Sequence, residues 1–150
     1  MKRLLLAALI AIGSAGVPAF ALTQDVAQSL TSVPLTIHTR HHLLHYRVEV
    51  ARSPQEQEIG LMFRRTMPAR HGMIFPMNPP RPASFWMKNT LIPLDLVFIR
   101  PDGTIGSIAT NAPPLSLATI ESHEPVAAVL ELVGGAAARD GLRAGDRVRW

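Results

Sequence analysis

The chain of 150 residues carries 15 basic and 11 acidic side chains, six histidines, 13 prolines and no cysteine. The missing cysteine excludes disulfides, thiol catalysis and lipid attachment through a cysteine, and the length suits one domain. The isoelectric point near 10.6 rests on a small surplus: setting aside Lys2 and Arg3 leaves 15 − 2 = 13 basic against 11 acidic groups, with no basic run longer than Arg64-Arg65, so no stripe follows a phosphate backbone and nucleic acid is not an expected partner.

The N-terminus joins Met1-Lys2-Arg3 to an apolar run from Leu4 to Ile12, small residues from Gly13 to Gly16, and Ala19-Phe20-Ala21. A positive start, an apolar stretch too short to span a bilayer and an A-x-A site predict a signal peptide over 1–21. The expected mature chain starts at Leu22, is exported to the periplasm or beyond, and keeps no stable membrane anchor. Polar, aperiodic residues predict a flexible linker over 22–33, followed by a single β-rich domain over 34–150.

Leu35 and Ile37 alternate with polar residues, as do Tyr46, Val48 and Val50, which predicts a hairpin with one apolar face. Pairing positions that sum to 83 would set Ile37 opposite Tyr46 and His38 beside His45. Ser53-Pro54-Gln55-Glu56 has the residues of a capping box with proline at the first helical position, so a short helix is expected near 54–62, weakened by Gly60 and ended by Pro68. The prolines between His71 and Pro93 predict short strands and edges there. Leu94 to Ile99 is an expected strand, Pro101-Asp102-Gly103 a turn and Thr104 to Ala109 its return. Val126 to Val133 and Arg147 to Trp150 complete the strands, with one helical turn over Gly135 to Asp140. Crossover helices are missing, so the expected fold class is mainly β: an antiparallel β-sandwich or small barrel-like domain with one short helix.

Several blocks of this chain resemble one family. Val48-Glu49-Val50-Ala51, Gly60-Leu61-Met62-Phe63-Arg64, Gly72-Met73-Ile74-Phe75, Phe85-Trp86-Met87-Lys88-Asn89-Thr90, Ile92-Pro93-Leu94-Asp95, Asn111-Ala112-Pro113-Pro114-Leu115-Ser116, Val129-Leu130-Glu131-Leu132 and Gly145-Asp146 are similar, in order, to the domain of unknown function 192, over about residues 35 to 149. The resemblance implies a mainly-β, sandwich-like domain, often secreted. It brings no reaction and no catalytic residues.

The chemistry-bearing residues worth testing are Trp86, Lys88, Asn89, Asp95 and Glu131. In an extended segment Trp86 and Lys88 point the same way, and after signal removal Lys88 is the only lysine beside twelve arginines. Asp95 falls in an apolar strand, where a carboxylate needs a partner, and Lys88 is the natural one. Glu131 shares a strand face with Val129 and Val133, where a turn amide or an arginine such as Arg139 would satisfy it. If Asp95 and Glu131 converged they would form an acid-base couple. His38, His41, His42 and His45 form a polar cluster without a fixed carboxylate, so no metal site and no cofactor is expected. Methionines 62, 67, 73, 77 and 87 with His71 raise Cu(I) handling, though methionine commonly fills core gaps. The function that fits best is a non-catalytic binding or accessory module for a small envelope ligand or a protein partner. A carboxylate-dependent hydrolase or lyase and a periplasmic copper-binding protein are the alternatives.

Overall fold

A computed structural model describes residues 26–150; the expected signal peptide lies outside the described residues. Seven strands form one sheet: β1 (Ser32–His38), β2 (Leu43–Val50), β3 (His71–Phe85), β4 (Leu94–Ile99), β5 (Ile105–Ala112), β6 (Ile120–Val133) and β7 (Arg147–Arg149), with short helices α1 (Pro54–Ile59) and α2 (Ala136–Asp140). Their order across the sheet is β5-β4-β6-β3-β2-β1-β7. The sheet curls until its two edges meet: Thr104 bridges Arg147, Ile105 N donates to Asp146 O, and Val148 N donates to Gly103 O, each at 2.8 Å. This is the mainly-β, barrel-like architecture that the turn spacing predicts, with one parallel pair, β2 with β3, among antiparallel ones.

Alternation gives β1 and β2 the expected apolar face: Leu35, Ile37, Tyr46 and Val48 are buried together inside the curl with Val97, Ile99, Leu130 and Leu132. The register differs from the expected one by two positions, since Leu35 faces Tyr46 and Ile37 faces Leu44. Thr39 closes the turn in this register: its Oγ1 accepts from the amides of His41 and His42 and its own amide donates to His42 O. A two-residue shift leaves every side chain on its face. It does separate His38, beside Leu43, from His45, beside Thr36.

The expected short pieces between His71 and Pro93 are in fact one strand of 15 residues followed by a loop. β3 pairs with β2 only through Ile74; beyond it the strand uses one edge, against β6, and bulges between Pro76 and Arg81. An edge strand tolerates residues that lack an N–H, so Pro76, Pro79, Pro80 and Pro82 do not end it. Gly72 faces Leu132 at a point where any Cβ would collide with the carbonyl of Glu131. Close approach of two backbones explains the glycine.

Segment 51–70 and the loop after β3 cover the outer side of β3, β6 and β4, burying Ala51, Leu61, Met73, Phe75, Met87, Leu96, Phe98 and Val129 in a second core. The capping box of α1 forms as expected, Ser53 Oγ accepting from Glu56 N and Glu56 Oε2 from Ser53 N, but Gly60 ends the helix at Ile59 in a left-handed conformation. Residues 28–30, within the expected linker, hydrogen-bond to this cover: Gln28 Nε2 donates to Glu56 O and Gly60 O, and Leu30 N donates to Glu49 Oε2. Arg64 holds both ends of Glu49 at 2.6 and 2.7 Å and donates to Gln28 O.

α2 plugs one end of the inner core with Ala136 and Ala137. Two acids fasten it. The hydroxyl of Tyr46 donates to Asp140 Oδ2 at 2.5 Å. Asp95, fully buried, accepts from Asn111 N at 2.8 Å, Gly135 N at 3.1 Å and Ala137 N at 2.8 Å. The substitution Asp95→Ala would strand those amides and is expected to lower the unfolding free energy by about 3–5 kcal/mol, read from the denaturant midpoint; a change under about 1 kcal/mol would contradict this role.

Candidate functional site

A half-open cavity of about 380 Å³ sits where the cover fails to close over the outer side of β3 and β6. One wall is α1 and the Gly60–Met62 segment, the floor is Phe75, Met77 and Glu131, and the other wall is Ala83 to Phe85 with Trp86, Lys88 and Thr90. Gln57 sets the first wall by donating to Ala51 O at 3.1 Å and Pro76 O at 3.0 Å. The second wall is fixed by two backbone bonds to the 113–119 loop, Met87 N to Ser116 O and Leu115 N to Thr90 O. Met87 to Thr90 is a turn and not the expected extended segment, Thr90 N donating to Met87 O at 3.0 Å with Asn89 at φ 55°, and this turn places Lys88 and Thr90 beside Trp86 in the cavity lining. Lys88 Nζ stands 5.0 Å from the centroid of the Trp86 ring, and Trp86 is 46% exposed at the mouth.

Glu131 is the one ionisable group on the floor. β6 is paired on both edges, with Met73 on one side and Leu96 on the other, so the side chain can point only into the outer core or the cavity. It is 4% exposed. Burial pushes its carboxyl up from 4.5 to about 8, with no hydrogen bond or neighbouring charge among the described residues to oppose the shift. At neutral pH it is therefore a carboxylic acid, able to donate one hydrogen bond and accept others.

The family model for the domain of unknown function 192, an uncharacterized ACR, matches residues 35–150. The chain belongs to this family. Two solved structures are similar to it. One, from Sinorhizobium meliloti 1021 and described provisionally as a transcription regulator, is 45% identical with a TM-score of 0.79, covering 81% of this chain and 95% of the other. The second, a protein of unknown function from Novosphingobium aromaticivorans DSM 12444, is 42% identical with a TM-score of 0.79, covering 91% and 94%. No curated protein matches.

In this DUF192 domain the cavity gathers three of the five residues singled out in the sequence: Trp86, Lys88 and Glu131. Asp95 is elsewhere. It faces Leu132 while Leu96 faces Glu131, so adjacent register positions send the two carboxyls to opposite sides of the sheet and no couple forms. Nor does Lys88 pair with Asp95, whose partners are the three amides behind α2. Asn89 is not part of the lining but shapes the wall: with φ at 55° it occupies the left-handed region that asparagine tolerates, its Nδ2 donates to the sulfur of the lining Met62 at 3.8 Å, and its carbonyl accepts from Phe63 N at 2.8 Å. Arg139 binds Asp140 and leaves Glu131 without the expected partner. Met73 and Met87 are fully buried in the outer core, whereas His38, His41, His42, His45 and His71 are exposed. Among the described residues no three His, Cys, Asp or Glu side chains group as metal ligands. Thr90, 5% exposed with its hydroxyl donating to Lys88 O at 3.3 Å, lines the cavity and was missed, because the turn over Met87 to Thr90 that places it there breaks the alternation.

Between pH 4.5 and about 8 the folded chain holds a proton on Glu131 that the unfolded chain has released. Its contribution to stability is complete below the lower value, falls as pH rises through the interval and levels off above the upper one. Glu131→Gln keeps the shape and removes the titration. Calorimetric melting temperatures of wild type and E131Q should converge or cross as pH rises, the wild type losing more; parallel curves across that interval would contradict the assignment.

Proposed function

We propose that this chain is an exported, non-catalytic binding domain whose cavity above Glu131 takes a small organic ligand. The observation that carries the reading is the Glu131 carboxyl, 4% exposed in a doubly paired strand, with no protein hydrogen-bond partner among the described residues and lining a cavity of about 380 Å³. A concave site with an apolar floor and a few polar groups converging on it is the usual form of a small-molecule site. Phe75, Met77 and Leu61 suit an apolar body, and Glu131 suits an uncharged acceptor such as a carbonyl or ether oxygen. Lys88 and Arg81 stand with Glu58 among the exposed lining residues, so two cations against one carboxylate favour an anionic outer end. Asp95 and Glu131 lie on opposite faces and form no couple; the other carboxylate of the cavity is the exposed Glu58.

A matched series tests it: a medium-chain 3-oxo carboxylate, the corresponding neutral ketone and the corresponding ammonium ketone, compared by thermal shift. The carboxylate should raise the melting temperature most, by the equivalent of about 2.7 kcal/mol at a hundredfold excess over Kd, and more below the Glu131 midpoint than above it. Glu131→Leu should abolish the response. A flat series, or a response unchanged in E131L, would overturn the pocket reading. Export rests on the basic start, short apolar run and Ala19-Phe20-Ala21 of the N-terminus. N-terminal sequencing of the protein purified from its host should begin at Leu22; an intact Met1 in the cytoplasmic fraction would refute export.

A further inference from the structure

The register gathers onto one surface charges that are dispersed along the chain. On the outer side of β2, β1 and β7, Thr36 lies between His45 and Arg149, and His38 lies between Leu43 and Arg147. Pro34 stands beside Arg47, which adjoins His71 of β3. The loop between β1 and β2 adds Arg40, His41 and His42, and all of these but Thr36 are exposed. The buried alternates, Leu35, Ile37, Leu44, Tyr46 and Val148, fill the inner core, so the outward direction of this set follows from the pleat.

None of Arg40, Arg47, Arg147 and Arg149 forms a salt bridge among the described residues. The two carboxylates that border β7 are turned onto nearby amides, Asp102 accepting from Thr104 N and Asp146 from Arg143 N. Arg47, Arg147 and Arg149 therefore share a convex face with Arg40 in the adjoining loop; the acids at its border are Glu49, neutralised by Arg64, and Asp102, which lies within reach of the Arg147 charge. Two large apolar side chains flank them, Leu43 at 48% and Trp150 at 45% exposure.

We propose that the outer face of β2, β1 and β7 docks on the surface of an anionic lipid bilayer. Basic side chains next to an exposed leucine and tryptophan match an interface where headgroup charge lies above apolar chains. Duplex DNA offers charge without the apolar layer. Three strand backbones already span about 10 Å, and with side chains they exceed a major groove about 12 Å wide, so this face cannot read bases as a helix or two-stranded ribbon does.

Co-sedimentation of the purified protein with vesicles of phosphatidylglycerol and phosphatidylcholine, against vesicles of phosphatidylcholine alone, tests the proposal. The protein should sediment with the anionic vesicles only, and added salt should release it. Each arginine near such a surface is worth on the order of a fivefold change in partitioning, so R147Q/R149Q should weaken binding roughly twentyfold, while R52Q/R65Q in the 51–70 segment should leave it unchanged. All four positions are exposed, and far-ultraviolet circular dichroism verifies that each variant is folded. Equal binding to the neutral vesicles, no binding to either, insensitivity to R147Q/R149Q, or tighter binding to a duplex oligonucleotide than to the anionic vesicles would each overturn it.

Discussion

Strand β6 is buried on both faces from Ala128 to Leu132, and the rest of the molecule follows from that constraint. Its inner side chains, Ala128, Leu130 and Leu132, complete the core of the curled sheet, while Val126 and Val129 face outward into the second core. An outward face this apolar must be covered. The capped helix α1, the Arg64–Glu49 clasp and the loop after β3 together form that cover. Where they do not meet, a cavity remains, and the side chain beneath it is a carboxyl.

Two acids on neighbouring positions of the β4–β6 ladder meet opposite fates. Asp95 points inward, collects three backbone amides and ties α2 to the sheet. Glu131 points outward, has no partner among the described residues and is held protonated by burial. The strand pleat alone separates them, since a carboxyl on either residue would otherwise be equally at odds with its apolar surroundings. The inward acid serves the fold. The outward one is available to a ligand.

Faces were legible in the sequence because alternation specifies them: the apolar side of β1 and β2 and the burial of Asp95 and Glu131 follow from period two, whereas Lys88 meets Trp86 through a turn. The capping box was legible because its chemistry is local. Partners were not. Asp95 is satisfied by amides 16, 40 and 42 residues away, and backbone groups leave no trace in residue identity. The hairpin register was not legible because a two-residue shift leaves every side chain on its face, and the bonds of Thr39 that close the turn are reported by no periodicity. The prolines of β3 pointed to short strands and edges; the edge character is right, and with only β6 beside it past Ile74 one continuous strand accommodates them. The basic face was invisible for a related reason, since Arg47, His38 and Arg149 become neighbours only through pairing.

The cavity and the basic face lie on different stretches of the outer surface, one over β3 and β6, the other over β2, β1 and β7. They can be altered separately. The claim on which the account turns is that Glu131 is an uncharged acid facing the cavity, and a carbon-13 NMR titration of its side-chain carboxyl, assigned by comparison with E131Q, measures this directly. A midpoint near 8 is the predicted result; a midpoint near 4.5, the ordinary value of a glutamate, would contradict it.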